Sequence, residues 1–90
     1  MASPLYGFAY DARSLAFLET LSKKLRKQIV SKINGLASNP RPRGSKKVQG
    51  GKRGEDDVLR VRSGDYRVLY VLRGMTIVIL DIDHRKDVYR

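Results

Sequence analysis

Apolar and polar residues alternate at the start of the chain. Tyr6, Phe8 and Tyr10 are interleaved with Gly7 and Ala9, a period of two that predicts a short first strand. Asp11 stands at a helix N-cap position, and Leu15, Leu18 and Leu21 follow at helical spacing. Ser22 is placed to cap a second helix. Its apolar positions Leu25, Ile29, Ile33 and Leu36 fall on one face, with Lys23, Lys24, Lys27 and Lys32 mostly off that stripe and expected in solvent. Asn39-Pro40 ends this helix, because the proline ring disfavours helical geometry in the residue before it. Further on, VLRVRS, YRVLYVLR and MTIVILDID read as three strands. Gly64-Asp65 and Arg73-Gly74 separate them, and both dipeptides suit tight hairpins. The expectation is an α+β fold: an N-terminal strand and a helical hairpin packed on a twisted antiparallel sheet of about four strands. Residues 1–90 are expected to form a single domain.

Residues 41–54, RPRGSKKVQGGKRG, break the pattern. They carry Arg41, Arg43, Lys46, Lys47, Lys52 and Arg53, no acidic residue and four glycines. A flexible solvated loop and a phosphate-contacting arm both fit this text, and no P-loop signature is present. Over the whole chain 19 basic residues against 9 acidic ones leave a net charge of +10. The chain is expected to meet a polyanion. It has no cysteine and one histidine, so disulfides, thiol chemistry and a metal centre are not expected. The longest apolar stretch, Met75 to Leu80, is too short to cross a bilayer, and the first residues show no secretory pattern. A soluble cytoplasmic protein without a membrane partner is the expectation.

The hairpin register sharpens the charge argument. With Gly64-Asp65 as the loop, Arg62 faces Arg67 and Arg60 faces Leu69. Leu59, Val61, Val68 and Tyr70 then share the core face, and Arg60, Arg62 and Arg67 the opposite one. Like charges directly opposite destabilise a sheet, by roughly 0.8 kcal/mol in water and ~3 kcal/mol at an effective dielectric of 20 for a separation of ~5.5 Å. An anion on this face relieves that repulsion, and arginine forks match phosphate oxygens in a bidentate way. A solvated basic face without a specific ligand is the alternative. In the tail, DIDHRKDVYR, His84 has an ordinary pKa near neutrality and Tyr89 a phenol that neighbouring guanidinium groups would acidify. Both suit proton transfer in metal-independent phosphodiester cleavage. A polar strand-end residue and a packed aromatic are the plain readings of the same two positions.

The segment LRVRSGDYRVLYVL, then an apolar strand, then DIDHRKDVYR, resembles the RelE/ParE superfamily of toxins from toxin–antitoxin modules. The resemblance implies a fold similar to microbial ribonucleases. In the RelE branch it implies a ribosome-dependent mRNA endonuclease that cuts A-site codons by 2′-hydroxyl attack without metal or cofactor. In the ParE branch it implies a DNA gyrase inhibitor with the same fold and no nuclease activity. For the nuclease, the implied catalytic residues are Arg60, Arg67, His84, Arg85 and Tyr89. Arg67 stabilises the phosphate, Arg60 stands where relatives carry a lysine, and Val58 replaces a second lysine. Arg62, Lys46, Lys47, Lys52 and Arg53 are expected to bind the substrate backbone. The implied partners are a cognate RelB-like antitoxin, the ribosome and mRNA, with DNA reached only through the antitoxin.

Overall fold

The computed structural model describes residues 5–84. Its elements run β1 (Gly7–Tyr10), α1 (Ala12–Glu19), α2 (Lys23–Gly35), β2 (Lys46–Arg53), β3 (Asp56–Ser63), β4 (Tyr66–Arg73) and β5 (Thr76–His84). The strands form one sheet in the order β1-β5-β4-β3-β2. The α+β class holds, but the sheet has five strands where about four were expected. The additional strand is β2, which lies inside the segment read as a basic loop. Its Lys46 and Lys47 pair antiparallel with Arg60 and Leu59, and its Lys52 and Arg53 with Asp57 and Asp56. Residues 48–51 bulge between these two pairings. The sheet is also not wholly antiparallel, because β1 pairs with β5 in parallel, Gly7 opposite Thr76.

Both helix caps form as the sequence predicts. The Asp11 carboxylate accepts from Arg13 N at 2.9 Å, and Ser22 Oγ accepts from Leu25 N at 3.3 Å. Arg26 closes the other end of α1 by donating Nε to Leu18 O at 3.1 Å and Nη2 to Leu21 O at 3.3 Å. The stripe on α1 differs from expectation. Leu15 is exposed, while Ser14 and Leu18 are buried. Ser14 Oγ donates to Ile79 O at 3.3 Å, so a small hydroxyl-bearing residue ties the helix to the sheet at a buried position.

The core lies between the helices and one sheet face. Ile29, Ile33 and Leu36 of the α2 region meet Leu59, Val61, Val68, Tyr70, Ile77, Ile79 and Ile82. Burying each such side chain contributes about 1.5–3 kcal/mol. The phase of β5 changes at Leu80. Tyr70 pairs with Ile79 but Leu69 with Asp81, leaving Leu80 as a one-residue bulge. That slip keeps Ile77, Ile79 and Ile82 on the core face and turns Asp81 and Asp83 to the other. The β3–β4 loop is Gly64-Asp65 as expected, whereas the β4–β5 loop is Gly74-Met75, one residue later than Arg73-Gly74. Gly64 (φ 59°) and Gly74 (φ 58°) hold the first loop position with positive φ, and no non-glycine residue among those described does so. That is the type II′ pattern, whose twist matches paired strands.

Candidate nucleic-acid interface

The β3–β4 register is the one the sequence predicts: Arg62 opposite Arg67, Arg60 opposite Leu69. Because β2 begins at Lys46, opposite Arg60, the last residues of β3 run on without a β2 neighbour. A cleft of about 470 Å³ opens at this notch, in the size range of ligand sites. Six cationic side chains line it. Arg60 and Arg62 come from β3, Arg67 from β4, Lys46 from β2, Arg43 from the turn before β2, and Lys32 from α2. Gly44 and Val61 complete the lining, and no carboxylate belongs to it.

The surrounding electrostatics set these cations apart. Among the described residues the ion pairs are Arg13–Asp81 (3.9 Å), Lys47–Asp57 (3.7 Å), Lys52–Asp57 (2.7 Å) and Arg73–Asp56 (3.4 Å). None of the six cleft cations takes part in them. The Lys52 ammonium, hydrogen-bonded to Asp57, and the nearby Lys47 hold that carboxyl below the usual carboxylate range. Near the notch, the Tyr70 hydroxyl donates to Pro40 O at 2.7 Å and so ties down the segment that leads into Arg43. Burial pushes the Tyr70 phenol up from its ordinary value.

The structure separates the sequence candidates. Arg60, Arg62, Arg67 and Lys46 come together in the cleft. Lys47 and Lys52 are engaged with Asp57 instead, and Arg53 lies beside Asp56 at the far end of β2. His84 does not join Arg67. It pairs with Tyr66 on the core side of the sheet, and the two rings meet edge to face at 4.9 Å. His84 and Asp83 are adjacent on β5, so their side chains face opposite ways, and His84 stands on the other side of the sheet from Arg67. Arg85 and Tyr89 lie outside the described residues.

Two cleft residues and one neighbour of Arg67 outside the cleft lining have no place in the site predicted from the sequence. Lys32 is exposed, as its place off the apolar stripe predicts, but it stands three residues after Ile29 and four before Leu36, both buried, so it flanks that stripe and lines the notch. Arg43 belongs to the basic run in the sequence, and only the turn before β2 brings it into the cleft. Asp83 sits directly across from Arg67 on β5, so the arginine row meets a carboxylate at one end. The broken spacing Ile77, Ile79, Ile82 was the available signal for that placement.

Comparisons with known proteins agree on one lineage. A family model described as the ParE toxin of the type II toxin–antitoxin system parDE matches residues 10–89. The archaeal RelE of the RelE–RelB complex from Pyrococcus horikoshii OT3 is 27% identical with a TM-score of 0.76, over 90% of this chain and 96% of that one. A chain of the RelBE2 toxin–antitoxin complex from Mycobacterium tuberculosis is 26% identical with a TM-score of 0.74, over 93% and 95%. The isolated RelE toxin of E. coli shares the fold at 20% identity and a TM-score of 0.66, over 88% and 83%. No curated protein sequence matches the chain.

Proposed function

The chain belongs to the ParE toxin family of type II toxin–antitoxin systems and has a RelE-like fold, and on that footing we propose that it is a ribosome-dependent mRNA endonuclease that cuts A-site codons. The observation that carries this reading is the cleft, where six cations from five segments converge without an acidic lining residue. Such an array complements the phosphates of a bound strand. Guanidinium groups grip the two non-bridging oxygens bidentately and gain most when charge grows on phosphorus.

In the proposed reaction the 2′-hydroxyl attacks the adjacent phosphorus, the 5′-oxygen leaves, and a 2′,3′-cyclic phosphate remains. Arg67 and Arg60 stabilise the pentacoordinate centre. Arg62, Lys46, Arg43 and Lys32 hold the flanking phosphates. Arginines make poor bases because they stay protonated at any working pH. The proton leaving the 2′-hydroxyl and the proton reaching the 5′-oxygen are assigned to the Tyr89 phenol or the His84 imidazole, with Arg85 as a further phosphate contact. The relatives in complex with RelB support a RelB-like antitoxin as the partner that silences the cleft. An acidic antitoxin segment complements the +10 charge and associates quickly with it. DNA is contacted only through that partner, and the working compartment is the cytoplasm.

The match to a ParE toxin family supports a second reading, the inhibition of DNA gyrase that the sequence resemblance implies for the ParE branch. A cell-free translation reaction separates the two. The nuclease reading requires mRNA ends mapped within codons, appearing only when ribosomes are present. Undisturbed translation together with blocked gyrase supercoiling establishes the inhibitor instead.

A further inference from the structure

A second open pocket, of about 580 Å³, adjoins the cationic cleft and shares Lys32 and Arg62 with it as a common wall. Its chemistry differs. Gln28 and Ser31 project from α2, Asn39 from the segment that follows it, and Ser63 from the end of β3. Guanidinium and ammonium groups only donate hydrogen bonds, whereas amides and hydroxyls both donate and accept. The cleft is therefore suited to phosphate oxygens, and its neighbour to the mixed donor and acceptor edge of a nucleobase. Pro42 adds apolar surface for a ring face. Space is left by Gly35 and Gly64, where a built Cβ meets nothing within 4 Å.

We propose that this pocket is a nucleobase subsite: the strand lies with its phosphates in the cationic cleft and turns one base across the Lys32–Arg62 wall toward Gln28, Ser31 and Asn39. The inference rests on the RNA reading above and deepens it, because such a subsite gives the toxin a preference among sequences that phosphate contacts cannot supply. Single-stranded RNA is commonly read in this way, through unstacked bases bonded along their edges.

Gly35 offers a direct test. It is the last residue of α2, is exposed, and has no positive φ, so a larger side chain there fills the pocket without straining the backbone. Binding is measured at low salt with a short 2′-O-methyl RNA, which cannot be cleaved, and with a fully abasic strand carrying the same phosphates. The wild-type protein is expected to prefer the base-bearing strand by about 5–100-fold, the range for one well-held base. Gly35→Phe is expected to bind both strands as the wild type binds the abasic one, with its thermal midpoint and salt dependence retained. A wild-type protein without preference, or a preference that survives in Gly35→Phe, overturns the subsite while leaving the RNA reading intact. Failure of the wild type to bind either strand overturns the subsite, while the ribosome-dependent reading is decided separately by the translation reaction above.

Discussion

Arg67 stands between a like charge and an opposite one, with Arg62 across β3 and Asp83 across β5. Its side chain leaves the core, so Arg67→Ala is expected to shift stability by no more than about 1 kcal/mol and, on the proposed nuclease reading, to lower cleavage about 10²–10³-fold, the scale of one lost charge-stabilising donor. Single-turnover cleavage on ribosomes and a denaturant titration check the two halves. Tyr70 is the complementary case, fully buried and bonded to Pro40 O. Tyr70→Phe keeps the ring and removes the tie, and a loss of about 1 kcal/mol in urea unfolding is expected. The opposed arginines were legible in the sequence because a two-residue loop fixes register and register fixes faces. Lys32 and Arg43 were not, because tertiary packing brings them to the notch from a helix and a turn distant in the chain.

Among the elements, β2 shows how context overrides propensity. Its sequence, KKVQGGKR, is poor in strand-forming residues, and a loop was the natural reading. The exposed edge of β3 supplies backbone partners, and Asp57 gathers Lys47 and Lys52. Because the Asp57 carboxyl titrates below its ordinary 3.8 in the folded state, it contributes stability above that pH and loses it as the pH falls through the lower folded value. Asp57→Asn is expected to lower the melting temperature near neutrality and to flatten the wild-type decline in acid, read by circular dichroism across pH 2–7. The hairpins carry a sharper constraint. Gly74→Ala forces a side chain into the φ 58° position and is expected to cost roughly 1–3 kcal/mol in urea unfolding. The five-strand count was hidden for the same reason as β2, and the bulge at Leu80 was visible only as a break in an alternating run.

For the whole molecule, the +10 charge is a long-range property and the cleft a local one. Salt distinguishes them. If all six cleft cations neutralise phosphates, log K for a single strand falls against log salt with a slope of about −4, measured by fluorescence anisotropy between 50 and 200 mM salt. A slope near −1 would assign the charge to steering rather than to contact. An acidic antitoxin peptide is expected to compete for the same cations and to flatten the slope of any residual binding.

The parallel pairing of β1 with β5 also constrains the order in which the molecule can be assembled. Gly7 meets Thr76, 69 positions downstream, and the β4–β5 hairpin cannot exist before that point either. As the chain is synthesised, its earliest strand must wait unpaired while both helices and three other strands emerge. A nascent copy halted before residue 76 thus has an unfinished sheet and a bare β4 edge next to Arg67. The sheet, and with it the notch beside Arg67, is complete only once the final strand has been made.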